Sequence, residues 1–290
     1  MQLPSPDYPA PAKLNLFLHV VGRRADGYHL LQSAFTLIDL ADTLRFRVRE
    51  DGGIHRVNEV PGVPAAQDLV VRAALLLQEA SGTRRGADIE VRKVIPIGGG
   101  LGGGSSDAAT TLLVLNSIWN TGFDREALAE IGAGLGADVP FFIFGRNAWA
   151  EGIGDRLREL DMAPAWYVIL VPPVQVPTQV AYTAPELTRN TEALKMEDFS
   201  AFAAGFSLVT AKGRLHNDLE PVVVDRFPAV CEHLEWLRKH APLARMTGSG
   251  ACVFAPFEDR ESAERVVGML PASMHGFVAQ GLGRHPLGNL

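Results

Sequence analysis

The chain has 290 residues, 47% of them apolar and 21% charged, proportions that exclude disordered and fibrous architectures and allow a core without covalent staples. Its 33 acids outnumber 27 bases, a net charge of −6, so the basic footprint of a nucleic-acid binder is absent, although a local basic pocket remains compatible. The two cysteines, Cys231 and Cys252, stand in no metal or redox spacing, which excludes a disulfide framework and fits a reducing compartment.

The proline-bearing N-terminus (Pro4, Pro6, Pro9, Pro11) lacks a basic start followed by an apolar run, so it does not read as a signal peptide. The longest apolar runs, such as residues 166–171, fall far short of the roughly 20 residues of a membrane span. A soluble, cytoplasmic protein is expected. At roughly 150 residues per domain the length suggests two domains, and a boundary near residue 160 divides the chain into 1–160 and 161–290.

Residues 14–21 alternate, with Leu14, Leu16, Leu18 and Val20 on one face and Lys13, Asn15, Phe17 and His19 on the other, the period of a strand. Leu44, Phe46 and Val48 alternate with Arg45, Arg47 and Arg49 in a half-solvated strand. Asp68 caps a predicted helix that ends near Gly82. Ile89 and Val91 mark another strand, which runs into a glycine loop. A helix follows over 105–119, closed by Gly122, and a shorter one over 124–131. Beyond 160 come a strand at 166–171, a helix with Phe227, Val230, Leu234 and Leu237 at helical spacing, and strands at 243–247 and 251–256 around Gly248-Ser249-Gly250. A helix at 258–270 and a strand at 276–280 complete it. The order β-α-β-β-α-β is a ferredoxin-like unit. Residues 172–226 resist assignment, and no internal repeat is visible.

The strongest signal is Pro96-Ile97-Gly98-Gly99-Gly100-Leu101-Gly102-Gly103-Gly104-Ser105-Ser106-Asp107, where six of the seven residues 98–104 are glycine. Ordering glycine costs conformational entropy, so such a run points to a need for bare backbone in unusual dihedrals. It follows a strand and opens a helix, whose N-terminal N–H groups attract phosphate. Ser105 and Ser106 could cap that helix, touch phosphate or help hold a metal ion. A P-loop requires Gly-Lys-Ser/Thr, and the loop has no lysine. The match to G-x-G-x-x-G at Gly98, Gly100 and Gly103 lacks the acid that a dinucleotide fold needs about 20 residues on. The lysine and aspartate motifs of protein kinases are missing. What remains is a nucleoside triphosphate cradled by a backbone nest. The eight histidines show no zinc spacing.

This loop resembles the signature of the GHMP kinase superfamily. Two further segments carry the same resemblance: Pro11-Ala12-Lys13-Leu14-Asn15-Leu16-Phe17-Leu18, continuing to Arg24-Ala25-Asp26-Gly27-Tyr28-His29, and Met246-Thr247-Gly248-Ser249-Gly250-Ala251-Cys252-Val253-Phe254. Gly136-Ala137-Asp138-Val139-Pro140 is similar too. Together they resemble the branch that acts on a cytidine-diphosphate-linked methylerythritol. The resemblance implies an α+β, two-domain fold, with an N-terminal nucleotide domain like ribosomal protein S5 and a C-terminal ferredoxin-like domain. It implies ATP-dependent phosphorylation of the acceptor's 2-hydroxyl in non-mevalonate isoprenoid precursor synthesis, with Mg2+ held mostly by phosphates and water.

Asp138 lies between a glycine-rich turn and an apolar run, and can accept or orient a hydroxyl proton; a helix or turn cap is the alternative. By resemblance, Lys13 pairs with Asp138, holding it ionised and neutralising charge on the moving phosphoryl group. Asn15, on the face of Lys13, suits a hydrogen bond to the acceptor. Tyr28 and His29 suit a nucleobase, one stacking and the other bonding the base edge; the resemblance gives them the cytosine, with Phe35, Tyr182 and Thr178 nearby. It puts Lys93, Pro96, Ile97, the loop from Gly98 to Ser106, and Asp68-Leu69 around the nucleotide. At the last pair a relative has Asn-Leu, so the resemblance does not carry a side-chain amide contact to adenine over to Asp68, while a backbone contact stays compatible with it. Metal ligands are not assigned. The expected partner is a small molecule, without nucleic acid or membrane, for a monomer or homodimer. Competing readings keep the fold but change the acceptor to homoserine, mevalonate or a sugar, or make the chain a nucleotide-binding regulator without turnover.

Overall fold

The alternation at residues 14–21 is the middle of a longer strand. In the computed structural model, which describes residues 5–199 and 214–290, β1 (Tyr8–Arg23) pairs antiparallel with the 21-residue β2 (His29–Arg49). Among the described residues β1 has β2 as its one strand partner in the ladder, and such an edge position tolerates Pro9 and Pro11. The register slips between Asn15 and Leu18. That bulge breaks strict alternation, so Leu14, Phe17 and Val20 are all fully buried, and Phe17 leaves the polar face that its spacing suggested.

β3 (Ile54–Arg56) runs parallel to β4 (Gly86–Arg92), which pairs with β2. The β2 arginines are not merely solvated: Arg45 pairs with Asp7, Arg47 with Asp88, and Arg49 with Asp51 and Asp88. Helix α1 (Leu69–Ser81) starts at Asp68, whose Oδ1 accepts from the Val70 N–H at 3.0 Å, and stops at left-handed Gly82. Helix α2 (Gly103–Trp119) begins two residues before the predicted start, with left-handed Gly102 as N-cap, and closes at left-handed Asn120 rather than Gly122. Residues 106–115 of α2 are all buried, as for a helix surrounded by core. Helices α3 (Arg125–Ala133) and α4 (Val139–Phe144) follow. Then comes a hairpin of β5 (Ala148–Glu151) and β6 (Arg156–Glu159) that periodicity did not reveal, because β6 is short and mostly exposed.

In the second half β7 (Trp166–Leu170) is followed by helix α5 (Thr178–Tyr182), helix α6 (Glu220–Arg226) and helix α7 (Pro228–His240). Next come β8 (Arg245–Met246), β9 (Val253–Phe257), helix α8 (Arg260–Gly268) and β10 (Gly276–Leu282). The strand order β10-β7-β9-β8, antiparallel throughout, with α7 and α8 as the crossovers, is the expected ferredoxin-like unit. The turn between β8 and β9 takes six residues, 247–252, not three, because the Gly248-Ser249-Gly250 segment folds over the glycine loop instead of closing a tight hairpin. The unassigned stretch 172–226 contains α5 and α6, and its residues 200–213 lie outside the described part.

The halves are not independent. β10 pairs with β2 through Gly281↔Ile38 and Leu282↔Leu37, making one continuous sheet. One apolar cluster joins Ala12, Leu14 and Ile38 to Tyr167, Ile169 and Phe254, with Ile95 and Leu101 of the glycine-loop segment. The loop thus rests on a core built from both halves. The α+β two-part fold stands as expected, and no helix among the described residues is long and apolar enough to cross a membrane.

Candidate active site

The glycine loop is tied down along its length. The Lys13 N–H of β1 donates to the Leu101 carbonyl at 3.0 Å. The amides of Ala251 and Cys252 donate to the carbonyls of Gly98 and Gly99 at 3.2 and 3.1 Å. Gly98, Gly100 and Gly102 have φ of 72°, 75° and 73°, and this alternation turns successive N–H groups toward one concavity, a nest suited to anions. A Cβ on Gly100 would lie 2.3 Å from the Thr247 carbonyl oxygen, so only glycine fits there. The nest opens onto the N-terminus of α2, which has no side-chain cap. Its orphan N–H groups and partial positive charge face a cleft of about 1100 Å3. That volume exceeds the 300–1,000 Å3 or so of an ordinary small-molecule pocket and leaves room for two ligands.

Lys13 and Asp138, 125 positions apart in the sequence, meet at this end of α2. Lys13 Nζ lies 3.6 Å from Asp138 Oδ2, with side-chain exposures of 4% and 36%. The ammonium also donates to Asn15 Oδ1 and sits 5.4 Å from the Phe35 ring centroid. Asp138 stands at the N-cap position of α4 yet its side chain makes no cap bond, so capping does not explain it and the carboxylate is available to a substrate. Asn15 is held by its own N–H to Thr247 Oγ1 and by Nδ2 to Ser33 Oγ, each at 2.9 Å. Asn217 Nδ2 donates to the carbonyls of Met246 and Gly248 at 2.9 and 2.8 Å, bracing the third motif.

Lys93 lines the cleft but is ion-paired to Asp42 and Asp107. Burial works against its charge, and the two carboxylates outweigh burial and hold its pKa above the ordinary value. Burial pushes the Asp107 carboxyl up, opposed by Lys93 and reinforced by Asp42. Asp42 also accepts from the Ile95 N–H at 2.8 Å, fixing the approach to the loop. Asp68 is used structurally, by the α1 cap and by Arg56, and Leu69 beside it lines the cleft. Ser105 lines the cleft, whereas Ser106 is fully buried with its hydroxyl unpartnered and faces inward from α2.

Also lining the cleft, the His29 and Tyr182 rings lie 5.4 Å apart at 34°, and Tyr28, 62% exposed, belongs to the same lining. Thr178 Oγ1 and Ser249 Oγ are 2.9 Å apart, joining α5 to the third motif. Phe35 lines the cleft, is 4% exposed and packs on Phe141 at 4.9 Å beside the Lys13 ammonium. All the expected site residues except Ser106 line the one cleft. Missed by sequence reading were Asp42, Asn217 and Arg189, since no spacing links them to the motifs, whereas Thr247 stood within the third motif segment without a role assigned to it. Asp107 did carry a signal, an acid just after the glycine loop, five residues into the helix that the loop opens.

The GHMP kinases N terminal domain matches residues 68–146 and the GHMP kinases C terminal domain residues 191–276. A 4-diphosphocytidyl-2-C-methyl-D-erythritol kinase of Aromatoleum aromaticum is 56% identical over 97% of this chain and 95% of that protein. One of Nitrosospira multiformis is 57% identical over 96% and 92%. A crystal structure of a 4-(cytidine 5'-diphospho)-2C-methyl-D-erythritol kinase aligns with TM-score 0.81 at 35% identity, covering 96% of this chain and all of that one. Homoserine kinase from Cytophaga hutchinsonii, at 17% identity, TM-score 0.73 and coverage of 98% and 97%, shares the fold. The chain belongs to the GHMP kinases and, among them, to the family of the 4-diphosphocytidyl-2-C-methyl-D-erythritol kinases.

Proposed function

We propose that this chain transfers the γ-phosphoryl group of ATP to the 2-hydroxyl of 4-diphosphocytidyl-2-C-methyl-D-erythritol, in the cytoplasm, as a monomer or homodimer. The observation that carries the reading is the Lys13–Asp138 pair, 3.6 Å apart at the open N-terminus of α2, with the His29–Tyr182 pair lining the same cleft. In this reading residues 1–160 hold the nucleotide and the reacting groups, and residues 161–290 complete the substrate pocket.

The triphosphate lies in the nest of Gly98 to Gly104, with its terminal phosphate toward Lys13, and the adenine lies toward Leu69. The cytosine packs against Tyr28 and Tyr182 and bonds His29. That arrangement brings the 2-hydroxyl toward Asp138. Phosphoryl transfer asks the protein for position and charge more than for covalent work. The acceptor oxygen bonds the γ-phosphorus as the bond from that phosphorus to the β,γ-bridging oxygen breaks. The hydroxyl proton passes to Asp138 Oδ2, and ADP departs. Lys13 balances charge on the equatorial oxygens. Asn15 holds the ammonium in place.

Mg2+ takes one or two protein oxygens, several waters and substrate phosphates. The donor set fits that habit: Ser105 and Asp138 line the cleft, and no cluster of three or more His, Cys, Asp or Glu suited to a metal occurs among the described residues. The Ser105 hydroxyl would hold the ion, which when bound neutralises phosphate charge.

The test is an ADP-release assay across the cytidyl substrate, unsubstituted methylerythritol phosphate, homoserine and mevalonate. Turnover confined to the cytidyl substrate is expected. Equal turnover of homoserine or mevalonate, or none with any acceptor, refutes the proposal.

A further inference from the structure

Arg189 belongs to none of the sequence motifs, yet it joins two of the elements that line the cleft. Its Nε donates to His29 Nε2 at 3.2 Å. Nη1 donates to the Pro185 and Leu187 carbonyls at 3.3 and 2.9 Å, and Nη2 to those of Tyr182 and Ala184 at 3.5 and 2.6 Å. One planar fork thus binds the chain around the C-terminal end of α5, which carries Tyr182, to the ring that opens β2. A guanidinium only donates. His29 Nε2 must therefore supply a lone pair, and the proton of the neutral ring sits on Nδ1.

The geometry points to Arg189 as a positioning residue that fixes His29 as a neutral Nδ1–H donor at set distance from Tyr182, so that the pocket selects a base edge presenting an acceptor. This inference rests on the nucleobase reading of the pocket given above. The charged groups facing His29 agree with it. Burial, Arg189 and Arg23 all hold the His29 pKa below the ordinary value. The Tyr182 phenol, raised first by burial and then by the Asp138 charge, stays neutral beside it. Asp26, the acid of the adjoining turn, is engaged by the Tyr28 N–H and by Arg24. A depressed pKa keeps the imidazole a neutral donor as pH falls through about 6.5, its unperturbed value. Removing the Arg189 charge removes one of the causes and moves the titration upward.

The experiment follows steady-state kinetics from pH 5.5 to 8 for the full-length wild type, Arg189→Met and Arg189→Lys. For Arg189→Met, KM for the cytidyl substrate should rise about tenfold, the worth of one charge-assisted hydrogen bond, with kcat and the ATP KM nearly unchanged. The acid limb of its kcat/KM should shift upward toward pH 6.5. Arg189→Lys restores the charge without the fork, so its acid limb should return to the wild-type position while KM stays raised. An Arg189→Met profile with the wild-type acid limb, whatever its KM, would reduce Arg189 to a structural brace and overturn the inference. If the variants do not fold, nitrogen NMR of labelled histidine in the wild type decides: Nδ1–H for His29 supports it and Nε2–H overturns it. Calorimetric titration of the wild type with cytidine 5'-diphosphate separates the two levels, because absence of binding defeats the nucleobase reading while the tautomer result stands alone.

Discussion

Replacing Asp138 by asparagine preserves size and shape while removing one negative charge. Among the described residues Asp138 makes no side-chain hydrogen bond that holds another element. Its side chain makes no cap bond to α4, it is 36% exposed, and its one ion pair, with Lys13, spans 3.6 Å, longer than a hydrogen bond. A pair that open contributes under about 1 kcal/mol to stability, so Tm should move by no more than about 4 °C. Lys13 keeps its bond to Asn15 Oδ1 and stays oriented. The nest and the α2 N-terminus are untouched, so ATP affinity should change less than about threefold. The acceptor hydroxyl, by contrast, loses its proton acceptor. General-base catalysis is worth about 10²–10⁴-fold, or about 3–5 kcal/mol of barrier, and the loss should fall on kcat, since the contact matures in the transition state. Coupled ADP release with the cytidyl substrate gives kcat and KM, and titration with a non-hydrolysable ATP analogue gives affinity. A kcat within threefold of wild type would refute the role of Asp138, as would a loss of nucleotide binding large enough to account for the loss of rate.

Gly100→Ala should raise the ATP KM by more than tenfold and lower Tm, because its Cβ would meet the Thr247 oxygen at 2.3 Å at a backbone φ of +75°, and thermal melting beside ATP kinetics checks both. Tyr28→Ala removes an exposed ring that the fold does not need, so Tm should hold while KM for the cytidyl substrate rises by the equivalent of about 1–3 kcal/mol, the worth of base stacking; an unchanged KM would move the base elsewhere. His19 and His285 are buried and their pKa values fall to about 4, for His19 through burial and then the His216 charge, for His285 through burial and then Arg125. Each is lower folded than unfolded, so the stabilisation is complete above about pH 6.5 and declines as pH falls toward 4, by about 2 kcal/mol per histidine at pH 5. Urea unfolding at pH 7.5 and 5 measures the drop, and equal stability at the two values would contradict the burial of neutral imidazoles.

Local chemistry made much of this legible in one dimension. Asp68 before an apolar helical repeat and Gly82 after it mark α1 because cap and stop act within one turn. The crossovers and strands from residue 166 onward read clearly because each element keeps its own period. The glycine loop read clearly too, since bare backbone in succession has few uses other than close approach. Elements governed by neighbours were less legible. Phe17 departs from its expected face because a bulge in the β1–β2 ladder shifts the register. The start of α2 moves to Gly103 because left-handed Gly102 caps it. The Asp42–Lys93–Asp107 network joins residues 51 and 14 positions apart.

By itself the sequence determined which residues bear chemistry: a lysine and an amide on one strand face, a carboxylate before an apolar run, a run of glycines, and an aromatic and an imidazole side by side at Tyr28-His29. Only the tertiary structure decided that they share a cleft, that Ser106 points into the core while Ser105 faces out, that the Lys93 ammonium is engaged by two acids, and that Arg189 clamps His29. The physical reason is range. Dihedral preference and capping act over a few residues and leave a mark in sequence order, whereas ion pairing, burial and ring orientation depend on distances that only the packing of β1, α2 and the 247–252 turn around one core establishes.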